Sequence, residues 1–126
     1  MILTDGTTTF TYTRGSDEEP DTMLDESEST SAGGLLRGQV SGERFVSTVT
    51  VRITPAERRT LVDLLNQPSA NFDYTPDTVS DEYTDLLGSD LFPMNVRVQL
   101  EKERKRVWNG EIFYYITMNI KSVGYL

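Results

Sequence analysis

Any chemistry in this chain would have to come from carboxylates, because its 126 residues include no histidine and no cysteine. The absence of histidine removes the usual general base and the commonest metal ligand. The absence of cysteine removes disulfides, thiolate nucleophiles and thiolate metal sites. No pair of carboxylates has a spacing typical of an acid–base site. We therefore expect no catalytic residues, no cofactor and no small-molecule substrate.

Three aspartates in the second half of the chain, Asp73, Asp77 and Asp81, raise the question of a calcium site. An EF-hand loop has acidic oxygens at closer intervals, a central glycine and a terminal glutamate, and this spacing does not match it. A hard cation also needs several oxygens that converge on one point. We prefer a solvated, turn-rich loop over residues 77–90, in which a single helical turn could seat Tyr83, Leu86 and Leu87 on the core, and expect no metal.

A basic run, KERKR at residues 102–106, lies beside several aromatic side chains. Arginine and aromatic residues commonly anchor protein interfaces. The same mixture suits nucleic acid, but glutamates interrupt the run and the net charge of −8 opposes phosphate at long range. A solvated hairpin with cross-strand pairs is a third interpretation. We favour a contact site for another subunit, with these anchors: Arg104, Arg106, Trp108, Phe113 and Tyr115.

These anchors lie on a predicted C-terminal hairpin, because residues 94–101 and 112–121 both alternate between apolar and polar. The turn falls at Asn109-Gly110. A two-residue loop there would pair Trp108 with Glu111. At the base of the hairpin the same register would set Leu100 opposite Asn119, which places an apolar residue against a polar one.

A three-residue loop with Gly110 in the left-handed conformation instead pairs Leu100 with Met118. We expect this second register, because it keeps the apolar face continuous at the base. It also sends the basic residues of the run to the same side as Ile116 and Ile112. The outer half of the hairpin is therefore predicted to project beyond the core.

The base of the hairpin must pack on a hydrophobic core, and the apolar pattern of residues 45–76 predicts such a core. Residues 45–53 alternate like a half-buried strand. The sequence Thr54-Pro55-Ala56-Glu57 is typical of a helix start, with Thr54 as the cap, proline at the first helical position and Glu57 as the carboxylate of a capping box. Leucines at 61, 64 and 65 form one apolar stripe. We expect a helix over residues 54–66, followed by a short extended segment at 71–76.

Residues 16–34 are acidic, rich in serine and nearly free of large apolar side chains. This composition predicts a flexible surface loop, because it offers too little apolar surface to offset the entropy of ordering. An alternative is an arm that becomes ordered against a basic partner, with Met23 and Leu24 as its apolar anchor. Residues 41–43 predict a turn after this segment.

The order of these elements resembles small structural proteins of tailed bacteriophages, particularly those of the tail and its junctions. The likeness covers about the last two thirds of the chain. It rests on these residues: Ile53 to Glu57, Leu61, Leu64, Leu65, Phe72 to Pro76, Phe92-Pro93 and Val96 to Ile120. The resemblance implies a virion component without enzyme activity that forms a ring with other copies of itself, of three or six subunits, around the tail tube or its end.

The sequence thus predicts a single α+β domain over residues 1–126, with a mainly antiparallel β-sandwich or split barrel, one short helix and a long C-terminal β-hairpin. The predicted function is assembly of a phage tail, by self-association and docking to neighbouring tail proteins. The alternative is a small acidic module that captures a basic protein partner. We expect no nucleic acid and no membrane as partners, and a location in the virion tail after synthesis in the host cytoplasm.

Overall fold

A computed structural model describes residues 1–30, 36–66, 71–77, 81–88 and 91–126. In chain order the elements are β1 (Ile2–Thr4), β2 (Thr9–Thr11), β3 (Asp17–Thr30), β4 (Leu36–Ile53), α1 (Pro55–Leu65), β5 (Phe72–Thr75), α2 (Asp81–Leu87), β6 (Met94–Trp108) and β7 (Glu111–Ser122). None of the helices in these ranges is long and apolar enough to span a membrane.

The described strands form one seven-stranded sheet in the order β2-β1-β5-β6-β7-β4-β3. Every pair of neighbours is antiparallel. The predicted α+β class with a mainly antiparallel sheet is confirmed, although a second helix, α2, joins the one that was expected. The finer expectation of a sandwich or split barrel stays a prediction.

The core is built on the alternation of β4, as the sequence predicted. Phe45, Val49, Val51 and Ile53 are each at most 1% exposed. Val49 pairs with Met118 of the neighbouring strand β7, and both side chains are buried. Since consecutive side chains point to opposite faces of a strand, this alternation leaves the intervening polar residues on the other face of the sheet.

The predicted start of α1 is confirmed in detail. Thr54 Oγ1 accepts a hydrogen bond from the backbone N–H of Glu57 at 3.3 Å, and the Glu57 carboxylate accepts one from the backbone N–H of Thr54 at 3.3 Å. These reciprocal bonds form a capping box. Leu61 and Leu64 are fully buried, and Leu65 packs at the border of the core.

Aromatic side chains fill the space between α2 and the sheet. Phe45 stacks on Tyr74 with ring centroids 6.3 Å apart, and Phe92 meets Tyr83 edge to face at 5.1 Å. Phe72 is buried beside them, so that the extended segment predicted at 71–76 is confirmed as β5. The helical turn of α2 places Tyr83 in the core, where such aromatic pairs add to the stability gained by burial.

The predicted flexible loop at residues 16–34 is wrong for its larger part, because residues 17–30 form β3 and pair with β4 along its whole length. Residues 31–34 lie outside the described residues. Pairing satisfies the backbone groups of β3, and Glu18 on its core side accepts hydrogen bonds from the hydroxyls of Tyr74 and Tyr83 at 2.9 and 2.8 Å. These polar contacts, rather than apolar burial, join β3 to the domain.

The turn predicted at residues 41–43 is also wrong, because β4 continues from Leu36 to Ile53, with an irregularity in its pairing to β3 at Ser41. Gly42 lies within this strand. A Cβ atom at Gly42 would come within 2.6 Å of the Tyr125 ring, so the glycine allows a close approach rather than a turn.

The C-terminal hairpin combines features of the two predicted registers. Its loop has two residues, Asn109 and Gly110, with φ angles of 52° and 76°, and Trp108 pairs with Glu111. Its base nevertheless pairs Leu100 with Met118. An irregularity between Leu100 and Lys102 absorbs the difference. The predicted three-residue loop is therefore wrong, and the extra residue sits as a bulge at Glu101 instead.

Candidate protein-interaction surface

One face of the sheet carries both helices, and we call the opposite side the outer face. Leu61 and Leu64 of α1 and Tyr83 of α2 belong to the same buried cluster as the core side of β4. No described helix packs on the outer face. Many side chains of the outer face are therefore available to another molecule, whereas Arg44 is occupied by the Tyr125 ring and Asp25.

An open groove of about 710 Å³ lies on the outer face near the hairpin tip. We call it the basic groove. Its lining combines cations with aromatic rings: Arg52, Lys102, Arg104, Arg106, Trp108, Phe113 and Tyr115. All five predicted anchors of the hairpin are thus brought together here.

The bulge at Glu101 decides this arrangement. Beyond it, Arg104 pairs with Tyr115 and Arg106 with Phe113, and directly opposed residues in an antiparallel sheet share a face. The sequence had predicted that these cations would lie on the side of Ile116, which is in fact buried on the core side. That prediction is wrong, because one extra residue in β6 turns the cations outward.

The aromatic side chains of the groove are unusually exposed. Trp108 is 72% exposed and Tyr115 is 39% exposed. Phe113 is held in place by Arg52, whose guanidinium lies 5.0 Å from the ring centroid. Exposed aromatic rings beside arginine are the residue types that most often dominate binding energy in protein interfaces.

The cations of the groove lack acidic partners within the described part of the chain. The side-chain salt bridges found there join Arg14 to Glu57, Arg44 to Asp25 and Arg58 to Glu103. None of them uses a cation of the basic groove. A chain with a net charge of −8 therefore presents a local positive surface at this position.

The other side of the hairpin is braced by α1. Arg58 donates a hydrogen bond to Glu103 at 2.5 Å, and its guanidinium lies 4.9 Å from the centroid of the Tyr114 ring. Both partners lie on the hairpin face that points away from the basic groove. The brace favours a fixed orientation of the groove relative to the core.

The two remaining predicted interface residues lie on β3 and are separated from each other. Met23 pairs with Arg44, which places it on the outer face, and it is 37% exposed. Leu24 follows it, points to the opposite face and is 53% exposed. Neither residue lines the basic groove of its own chain.

A polar cluster around Glu18 is the other feature that could suggest chemistry. Burial, together with the charge of Glu18, raises the pKa of Tyr74, so its hydroxyl stays protonated and donates to the carboxylate. Glu18 also accepts the backbone N–H of Asp77 at 3.2 Å. With its oxygens satisfied in this way, Glu18 serves to join β3, β5 and α2.

The structure describes only part of the segment in which a calcium site was considered, at Asp73, Asp77 and Asp81. Within the ranges that the structure describes, no group of three or more acidic side chains stands close enough to hold a metal ion. Asp73 accepts a hydrogen bond from Asn95 at 3.4 Å. The side chain of Asp81 lies outside the described residues.

Sequence reasoning missed two cations of the groove, Arg52 and Lys102. Arg52 could have been found, because it occupies a polar position in the alternation of β4. Lys102 belongs to the predicted basic run but was not named as an anchor; like Arg104 and Arg106 it was assigned to the wrong face, because the bulge at Glu101 leaves no signal in the residue pattern.

The surface belongs to an α+β protein with a single described sheet, one face of which is open. Comparisons with protein-family models, with curated proteins and with solved structures found no match.

Proposed function

We propose that this chain is a structural subunit without enzyme activity that assembles with copies of itself and with neighbouring proteins through the basic groove. The proposed setting is the tail of a tailed bacteriophage, where the subunit would form part of a ring at the tube end, terminator or distal tail. The setting rests on the resemblance of the element order and motifs to small phage tail proteins. The mode of action rests on the groove.

The observation that carries the proposal is the gathering of unpaired arginines and exposed aromatic rings in one open groove. Trp108 and Tyr115 offer large rigid surfaces, and Arg104 and Arg106 can bind carboxylates in a bidentate way. Burying Trp108 against a partner would remove a large apolar area from water. The domain has a fully formed core apart from this groove. A groove of this kind therefore favours a role in docking to another protein rather than in folding.

The test is native size as a function of concentration, measured by analytical ultracentrifugation or native mass spectrometry. We expect the parent to form a complex of fixed stoichiometry. The double variant Trp108→Ala and Tyr115→Ala should lose assembly while its melting transition stays close to that of the parent, because both side chains are substantially exposed. Arg59→Ala on the exposed side of α1 is the matched control and should assemble normally.

Three results would contradict the proposal. A parent that stays monomeric at every concentration, alone and with proteins of the same virion, would exclude an assembly subunit. A double variant that assembles like the parent would remove the basic groove from the interface. A parent that instead binds single-stranded nucleic acid with a steep dependence on salt would assign the groove to phosphate binding.

A second candidate function is favoured by the acidic residues of β3. Asp17, Glu19 and Asp21 are exposed on this edge strand, which suits a small module that captures a basic protein. Such a module would remain a monomer by itself. It would bind basic partners and release them as salt is added, since the contacts would be exposed ion pairs.

A further inference from the structure

The outer face carries a second charged feature, which runs along β3. Asp17, Glu19 and Asp21 pair with Thr50, Thr48 and Val46 of β4 and are exposed on the outer face. We call these three aligned carboxylates the acidic column. Met23 continues the same row. The column borders a second open groove of about 750 Å³, which is lined by Glu19, Asp21 and Met23 among others.

The basic groove contains a matching row on β6. Lys102, Arg104 and Arg106 occupy alternate positions of the strand and share the outer face. We call these three the basic column. Trp108 continues this row, as Met23 continues the acidic one.

The two rows have the same spacing, and in each row three charged side chains are followed by one large uncharged side chain. Alternate residues of a strand lie about 6.6 to 6.8 Å apart, so three carboxylates on one strand can face three cations on another without strain. With the strands running in the same direction, Asp17 faces Lys102, Glu19 faces Arg104 and Asp21 faces Arg106. The next position then sets Met23 against Trp108, which is a favourable sulfur–aromatic contact. In the opposite direction, Met23 would face the polar Gln99 and Trp108 would have no partner in β3.

The two columns cannot meet within one molecule. In the sheet, β4 and β7 lie between β3 and β6, so the columns are about 14 Å apart at a strand spacing of about 4.8 Å. Among the described residues, no salt bridge uses any of the six charged side chains. The two columns are thus complementary but not paired with each other, and a second copy of the chain presents a surface that can satisfy each of them.

We propose that the occupant of the basic groove is the β3 strand of a second copy of this chain, with the acidic column and Met23 of one copy seated on the basic column and Trp108 of the next. This inference deepens the proposed self-association and rests on it. The contact joins two different surfaces, so a pair of copies keeps one free acidic column and one free basic column. Repetition gives a ring if the rotation between copies closes, and an open filament if it does not.

Charge reversal tests the pairing. Variant A carries Asp17→Lys, Glu19→Lys and Asp21→Lys, and variant B carries Lys102→Glu, Arg104→Glu and Arg106→Glu. Each alone sets like charges against each other, and its self-association should weaken by about tenfold or more. In an equimolar mixture the reversed column of A can face the reversed column of B, and the unchanged columns of A and B can face each other. The mixture should therefore recover alternating A–B contacts.

The alternating arrangement contains two kinds of contact between A and B. The reversed column of A, now basic, meets the reversed column of B, now acidic, and the original acidic column of B meets the original basic column of A. Both contacts in the mixture are complementary. Association in the mixture should return to within about threefold of the parent, since three exposed ion pairs are restored at each contact. Arg59→Glu on α1 is the control for a change in net charge and should associate like the parent.

Crosslinking tests the direction of the strands, because the chain has no cysteine of its own. Met23→Cys and Trp108→Cys are made in separate chains and mixed under mild oxidation. A disulfide-linked heterodimer should form between them. The pair Asp17→Cys and Arg106→Cys reports the opposite direction, and should remain uncrosslinked.

The results separate this inference from the proposed function. Recovery in the mixture of A and B, with the Met23–Trp108 crosslink, supports both. A parent that associates but whose variants A and B associate equally well would overturn the pairing of columns and leave the assembly function standing. Crosslinking only through positions 17 and 106 would overturn the proposed direction. A parent that never associates would overturn both. Circular dichroism melts of A and B ensure that any loss of association is not a loss of folding.

Discussion

The hydroxyl of Tyr74 on β5 donates a hydrogen bond to the Glu18 carboxylate on β3, over 2.9 Å. These strands lie far apart in the order of the sheet, with β6, β7 and β4 between them. The contact therefore shows that the sheet curls over the core until its acidic edge strand reaches the other side. A second hydroxyl, that of Tyr83, donates to the same carboxylate at 2.8 Å.

Glu18→Ala should destabilise the fold by about 1 to 3 kcal/mol, because buried donors on Tyr74 and Tyr83 would lose their acceptor. Urea melts of Glu18→Ala, Tyr74→Phe and the double variant form a cycle that measures the coupling between the two residues. The double variant should cost less than the sum of the single ones. Strict additivity would mean that the two side chains do not interact.

Replacement of residues 17–31 by a short Gly/Ser linker should unfold the domain or lower its melting temperature strongly. A flexible surface loop over residues 16–34, which the sequence predicted, would instead have tolerated this replacement. It removes the partner strand of β4 and exposes one edge of the strand that carries Phe45 and Val49. Near-ultraviolet circular dichroism and thermal melts measure the effect. A variant with the parent's melting temperature would show that β3 is dispensable.

Thr54→Ala should cost about 1 kcal/mol, because α1 loses its N-cap. Glu57→Ala should cost at least as much. Besides closing the capping box, the Glu57 carboxylate accepts a hydrogen bond from Arg14 at 2.7 Å, which ties the segment before β3 to the helix. Denaturant melts at fixed pH compare the two. Arg14→Ala separates the contribution of the ion pair from that of the cap.

Stability should fall at acid pH, in part through Glu57. Burial alone would raise the pKa of this carboxyl, but hydrogen bonds from Arg14 and the Thr54 backbone outweigh it and lower the pKa. A lowered pKa in the folded state adds stability above the ordinary glutamate value of about 4.3, and this stability is lost as the pH falls through the folded pKa. Glu57→Gln should therefore be less stable than the parent at pH 7 and converge with it in acid. A constant difference across the pH range would contradict this.

The local elements were determined by the sequence alone. The cap, the proline at the first helical position and the leucine stripe of α1 act within one or two turns, so residues 54–65 specify their helix without help from the rest of the chain. The alternation of β4 from Phe45 to Ile53 likewise marks its buried face, because side chains of a strand alternate whatever its partners are. The sequence also named the five anchors that line the basic groove, although it placed Arg104 and Arg106 on the wrong face of the hairpin.

Only the tertiary structure decided what residues 17–30 become. Their composition is that of a disordered segment, and nothing local favours a strand. The strand forms because β4 supplies backbone partners along its length and because two tyrosines from distant elements hydrogen-bond to Glu18. Such contacts depend on the folded arrangement of β5 and α2, and no local pattern encodes them.

The direction of the basic column was decided in the same way. The turn at Asn109-Gly110 and the apolar pairing of Leu100 with Met118 were both readable from the sequence, yet they require different registers. The folded sheet keeps both by means of a bulge at Glu101, because β7 is held in place by β4 while the two-residue loop fixes the tip. That single extra residue turns Lys102, Arg104 and Arg106 from the core side to the outer face, and so creates the basic groove.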